Sequence, residues 1–360
     1  MKKLVLFLLV MGMLGFSSCS FPEDAKPDSA GGTAATSGGG TAETQNTEKE
    51  LEESKKPTGT EKRAIGGERL SITLYYQDGD GYVIPATRRV VKQEGIAKAA
   101  LNGLIDSAAN REELMYFGLH PVLPAGTQVF GINLKDGVAV VDFDKKLLEY
   151  KDRIAERNII SSIVYTLTEF KTIKGVKILV NGYAKDKLQY GTVVSGILNR
   201  DNVLINAERV NLKEGMRKAD AYLFKKVKED CAYILPLSVE YEILGNSGLP
   251  GKIVQLLTKA WQDDRLYSEV PSSASLIGSS ISKGLLTLNF DGGILDYGGQ
   301  AREEGIIKQI LYSMKQVEGV EKVKLLVNGR VASLPEGTDV SKEMPAPKEI
   351  NDVIDVIEAH

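Results

Sequence analysis

The chain has 360 residues, 42% hydrophobic and 26% charged, with a formal net charge of −3. That length leaves room for more than one domain, and the balance, without a basic stripe, argues against a polyanion-binding surface, so no nucleic-acid partner is expected. Only two histidines, His120 and His360, are present; a zinc hydrolase or a Ser-His-Asp site needs a His with oriented partners, whereas His120 lies in a Gly-Leu-His-Pro segment that reads as surface or turn.

Lys2 and Lys3 precede an apolar stretch, Leu4 to Phe16, that is too short to cross a bilayer and reads as an export signal. It ends in Phe16-Ser17-Ser18-Cys19, which resembles a bacterial lipobox with Phe where Leu is usual. Residues 1–18 are therefore expected to be a signal peptide cleaved before Cys19. That cysteine would carry more than one acyl chain (palmitate or similar) and hold the protein on the extracytoplasmic face of the membrane. Residues 19–65 are rich in Gly, Ser, Thr, Glu and Lys and read as a disordered tether, with a reach of roughly 40 Å and a limit near ~150 Å. The other cysteine, Cys231, then has no partner for an intramolecular disulfide and is expected as a small core residue.

The first predicted strand is Leu70 to Tyr76, followed by an Asp78-Gly-Asp-Gly81 turn and a return strand from Tyr82 to Val91. Ile96 to Ile105 has helical spacing. Gln128 to Leu134, a turn at Lys135-Asp-Gly137, and Val138 to Phe143 form a second strand pair. Asn158 to Phe170 reads as a helix with Ile159, Ile160, Ile163, Val164 and Leu167 on its apolar face. Val176 to Val180 is a last strand ending in the Asn181-Gly182 turn.

A shift of 147 positions repeats this pattern, carrying residues 123–182 onto 270–329 without a gap. Val176-Lys-Ile-Leu-Val-Asn-Gly182 falls on Val323-Lys-Leu-Leu-Val-Asn-Gly329, Phe143-Asp144 on Phe290-Asp291, Tyr150 on Tyr297 and Tyr165 on Tyr312. The period far exceeds the ~20–50 residues of a solenoid unit, so each copy is expected to have its own core. The second copy is predicted to have strands at 222–224, 232–241, 274–281, 285–290 and 323–327, and helices at 251–262 and 306–317. The first copy has an additional segment, Arg111 to His120. The expected fold class is α+β: two tandem repeats, 66–200 and 215–342, each a small sheet with two helices packed on one face, then a tail over 343–360. Such a sheet leaves an edge open to other chains.

No catalytic constellation and no metal site emerge, and no cofactor or small-molecule substrate is expected. Asp142 and Asp144 form a D-x-D pair, but their place at a strand end favours carboxylates that accept backbone amide bonds. Asp144 and Asp291, with Asn181-Gly182 and Asn328-Gly329, are expected to be structural anchors of the repeat. Asp78-Gly-Asp-Gly81 begins like a calcium loop but lacks the later ligands, and is expected to be a turn.

Val140-Val-Asp-Phe-Asp144, the helix ending in Thr166-Leu-Thr-Glu-Phe170, and Val176-Lys-Ile-Leu-Val-Asn-Gly182 together resemble the GerMN domain. A tandem pair behind a lipoprotein signal resembles the GerM-type family of sporulation and spore germination lipoproteins of endospore-forming Firmicutes. The second copy departs from the first with Asn289 for Asp142 and Met314-Lys-Gln-Val317 for Leu167-Thr-Glu-Phe170. The resemblance implies domains similar to the ring-building motif. It also implies a non-enzymatic scaffold or assembly factor for the channel complex between mother cell and forespore, in the intermembrane space. Its expected partners are the membrane, through the lipid on Cys19, and proteins of the sporulation envelope complex or further copies of itself. The competing function is a solute-binding lipoprotein of an importer, a class usually built from two larger α/β lobes with chain crossings between them.

Overall fold

The computed structural model describes residues 69–229, 231–242, 248–261, 263 and 265–352. The expected signal peptide (1–18), Cys19, the expected tether to residue 65 and the last eight residues lie outside this range. The first copy opens with an antiparallel hairpin of β1 (Arg69–Asp78) and β2 (Val83–Val91), with Thr73 opposite Thr87. Its turn closes because Asp78 Oδ1 accepts the amides of Asp80 (2.9 Å) and Tyr82 (2.8 Å). Helices α1 (Ile96–Asn102) and α2 (Ala108–Met115) follow, the latter capped by Ser107. Then β3 (Leu119–His120) pairs with the end of β1. A second sheet is built from β4 (Val129–Lys135), β5 (Val138–Phe143), β6 (Gly175–Val180) and β7 (Tyr183–Ala184), in that order, with β5 and β6 parallel. The connection between β5 and β6 is α3 (Arg153–Leu167).

The second copy repeats the plan with β8 (Arg217–Lys228), β9 (Cys231–Tyr241), α4 (Gly248–Leu257), β10 (Leu266–Tyr267), β11 (Leu276–Ser282), β12 (Leu285–Phe290), α5 (Gln300–Met314), β13 (Lys322–Val327) and β14 (Met344–Pro345). The pairing registers repeat as well. Gln77 and Asp78 face His120 and Leu119, and 147 positions later Phe224 and Lys225 face Tyr267 and Leu266. The addition in the first copy is therefore α2, not the whole of Arg111 to His120, since β3 has β10 as its counterpart. The second copy compensates with a longer hairpin.

The α+β class and the tandem arrangement hold, but each copy divides its strands between two sheets rather than one. The cause is the long helix. Eleven of the 15 residues of α3 are buried, including Glu156, Asn158, Ser161, Ser162 and Thr166, so the helix is covered well beyond its apolar stripe. It packs against both β1 and β6. Thr166 Oγ1 accepts the Tyr75 amide (3.1 Å), and Ser313 Oγ accepts the Tyr222 amide (3.0 Å), so each helix caps the edge of its hairpin. Both helices start earlier than their apolar periodicity suggests, because the first turn carries a buried glutamate in place of an apolar residue. The two copies do not keep separate cores either. One apolar cluster runs from Leu74, Ile163 and Val176 through Ala221 and Leu223 to Ile310 and Val323.

Candidate functional site

The polar framework of each copy is built on one buried glutamate. Glu156 Oε2 accepts the Tyr150 hydroxyl (2.7 Å) and the Tyr190 amide (2.7 Å), while Oε1 accepts the Thr192 amide (3.0 Å). Glu303 repeats the pattern with Tyr297 (2.8 Å), Glu336 (2.8 Å) and Thr338 (3.0 Å). Burial works against both carboxylates. Hydrogen bonds from Thr192, Tyr190 and Tyr150, and from Thr338, Glu336 and Tyr297, outweigh it and hold both below the usual carboxylate range.

Asp144 Oδ1 accepts the Gln128 amide (2.9 Å), and Asp291 Oδ1 accepts those of Ser275 (3.0 Å) and Gly293 (3.1 Å). Asp142 and Asn289 hold the next turn, accepting the amides of Gly182 (2.8 Å) and Gly329 (2.7 Å). Asn181 (φ 51°) and Gly182 (φ 78°), like Asn328 (φ 51°) and Gly329 (φ 72°), have the paired positive φ of a tight hairpin turn.

The copies are joined by an exchange of contacts that the sequence repeat does not display. After the first copy, Asn206 accepts the Val83 amide (2.6 Å) and donates to the carbonyls of Val83 (2.8 Å) and Pro236 (2.8 Å). After the second, Asn351 accepts the Ile234 amide (3.0 Å) and donates to the carbonyls of Ile234 (2.6 Å) and Pro85 (2.8 Å). The preceding isoleucines are reciprocal too. Ile205 exchanges bonds with Ser238 (both 2.9 Å), and Ile350 does so with Thr87 (both 2.8 Å). Each contact made by one copy is returned by the other, so the chain folds as a fused pseudo-twofold dimer of hairpins. The Asp78-Gly-Asp-Gly81 turn is part of the same joint. Asp80 pairs with Lys225 (3.0 Å) and Arg265 (2.8 Å), and Lys225 lies over the Tyr82 ring.

A cleft of about 1760 Å³ opens beside this joint, lined by residues of both copies. The Arg200 guanidinium in its wall donates to Glu169 Oε1 (2.6 Å), Thr168 Oγ1 (2.8 Å) and the Tyr165 carbonyl (3.0 Å), and lies over the Tyr165 ring at 4.7 Å. Nearby, Lys218 donates to the Tyr165 hydroxyl (2.7 Å) and to Asp220 Oδ2 (3.0 Å). Burial opposes the charge on Glu169, and Arg200 overrides it, leaving the carboxyl below its ordinary range. Burial likewise opposes the Lys218 charge, and Asp220 with Tyr165 overrides it, so the ammonium stays protonated. With every strong charge in this cluster paired, the cluster rigidifies the cleft wall and leaves no poised acid, base or nucleophile.

Among the described residues no group of three or more His, Cys, Asp or Glu side chains is arranged to hold a metal ion. His120 is exposed on β3. Cys231 is buried, as expected of a small core residue. The Asn206 and Asn351 clamps and the role of Glu156 and Glu303 were missed from the sequence. The repeated Ile205-Asn206 and Ile350-Asn351 dipeptides were the available signal.

No described helix is long and apolar enough to cross a membrane. The tandem GerMN domains of the sporulation protein GerM from Bacillus subtilis superpose with a TM-score of 0.69 at 26% identity, covering 78% of this chain and 99% of that one. In sequence, the chain is 27% identical over 288 residues to the spore germination protein GerM of Bacillus subtilis (strain 168), covering 77% of each. The family described as Germane, sporulation and spore germination, matches residues 73–186 and 227–333, more than half of the chain and within both copies, and the chain belongs to that family.

Proposed function

We propose that this protein serves sporulation as a non-enzymatic envelope assembly factor, anchored through lipid on Cys19. The observation that carries this reading is the fused pseudo-twofold body. Its buried ionisable groups (Glu156, Glu303, Asp220 and Lys225) and the half-buried Glu169 are spent on holding the two copies and their joint together. A catalyst leaves such groups poised for a substrate; a scaffold uses them to fix a shape. The relative's role in spore germination and the family's tie to sporulation support placing that shape in the sporulation envelope. There it would support the channel complex between mother cell and forespore. The tether of residues 19–65 would let the folded part stand off the membrane and find its partners.

The test is a count of heat-resistant spores, with imaging of engulfment, in a strain lacking the gene. Arrest after engulfment begins is the expected result. Full spore yield with normal germination would overturn the sporulation role. A Cys19→Ala strain that sporulates fully would remove the anchor from the reading.

A further inference from the structure

The two hairpins end differently at the edge that faces the cleft. In an antiparallel pair, opposite residues alternate between exchanging hydrogen bonds and pointing their backbone groups outward. The Ser238 amide bonds to Ile205, so Asp220, opposite Ser238, points its amide and carbonyl outward. Both are taken by the Gln316 side chain: its Oε1 accepts the amide (2.8 Å) and its Nε2 donates to the carbonyl (2.6 Å). The Thr87 amide bonds to Ile350, so Thr73, opposite Thr87, is oriented the same way.

The residue equivalent to Gln316 in the first copy is Glu169, which has turned to Arg200 and to the Tyr75 hydroxyl. A carboxylate could not donate to the Thr73 carbonyl in any case. Among the described residues nothing bonds to the Thr73 amide or carbonyl, and β3 reaches only Gln77 and Asp78. Thr73 and Tyr75 line the cleft. The result is one unpaired edge position in the cleft wall, Thr73, beside Tyr75, whose amide α3 already takes; the repeat has both positions capped.

The charge of the cleft is equally particular. Lys171, Lys174, Arg217, Lys252, Lys315 and Lys348 line it, and none is in an ion pair among the described residues. Of its six acids, Glu169, Asp220 and Glu240 are neutralised by Arg200, Lys218 and Arg209, which leaves Asp201, Glu242 and Glu318 against those six cations. A chain of net charge −3 thus gathers a net surplus of positive charge around this edge position.

We infer that this cleft takes an extended acidic segment of a partner polypeptide. The segment adds as a strand to β1 at Thr73 and sets its carboxylates against Lys171, Lys174, Lys315 and Lys348. The volume exceeds the roughly 300–1,000 Å³ of a small-molecule pocket and suits a polymer segment. The inference rests on the assembly reading above and gives it a site.

The probe is a fluorescein-labelled octapeptide of alternating Glu and Val, titrated into the full chain and followed by anisotropy. Saturable binding is expected, weakened roughly tenfold or more in K171E/K174E, two exposed positions that do not support the fold. T73P, which removes the outward amide at an edge where proline is tolerated, should weaken it as well. Amide exchange at Thr73 should slow in the complex. Equal binding of an alternating Lys-Val peptide, or no change in K171E/K174E, overturns the inference. So does equal binding of polygalacturonate with T73P harmless, which would make the cleft a site for anionic glycan. A K171E/K174E strain with full spore yield, where deletion lowers it, overturns use of the cleft in the cell and leaves the sporulation role standing.

Discussion

Replacing Glu156 by glutamine tests whether the repeated buried carboxylate holds each copy together. The two carboxylate oxygens accept two backbone amides and one hydroxyl. Glutamine offers one acceptor oxygen, and its NH₂ must face at least one of those amides. The Tyr150 hydroxyl can rotate to accept from it, but a backbone N–H cannot. One buried donor is therefore left unpaired at about 1–3 kcal/mol, and the remaining bonds lose charge assistance, for a total of about 2–4 kcal/mol. At about 2–4 °C per kcal/mol for a body of this size, E156Q should melt roughly 4–16 °C lower in a calorimetric scan. E303Q should cost the same within about 0.5 kcal/mol, because Tyr297, Glu336 and Thr338 reproduce the geometry. The sign of the pH dependence follows from both folded pKa values lying below the unfolded one. Their stabilisation is fully present above the unfolded value, about 4.3, and is lost as pH falls through the folded values. Below pH ~5 the wild type should lose stability faster than E156Q/E303Q. An E156Q protein that melts with the wild type, or an E303Q that differs widely from E156Q, would refute the reasoning.

Two further expectations concern the joint and the turns. N206A and N351A each orphan buried backbone groups of the two hairpins, and each should lower the urea midpoint by an amount corresponding to about 1–3 kcal/mol. Unequal costs would contradict the pseudo-twofold joint. G293A should be more harmful than G182A, because a Cβ at Gly293 would stand 2.3 Å from the Ser273 carbonyl oxygen, whereas Gly182 has open space but positive φ. Comparable melting temperatures for the two would count against this.

Much of the scaffold was legible because it depends on local pattern. The spacing of 147, the Asn-Gly turns and the positions of β5, β6, β12 and β13 follow from alternation, turn chemistry and self-similarity, all written in contiguous residues. The helix starts were less legible, since Glu156 and Glu303 look like surface residues until the loops carrying Thr192 and Thr338 fold over them. Sequence could register Gln316 in place of Glu169 as a divergence. It could not say that one amide caps a strand edge and the other carboxylate leaves its counterpart open.

The sequence by itself determined the duplication, the α+β class and the turn residues, because each rests on neighbours along the chain or on comparison of the chain with itself. Tertiary structure alone decided that the copies share a core and exchange Asn206 and Asn351. It also drew Lys171, Lys174, Arg217, Lys252, Lys315 and Lys348 around one cleft. These cations come from segments that are far apart in sequence, so no stripe marks them in a chain whose charges nearly cancel. Their fields add only where folding brings them within a Debye length of one another, and that distance is a property of the fold.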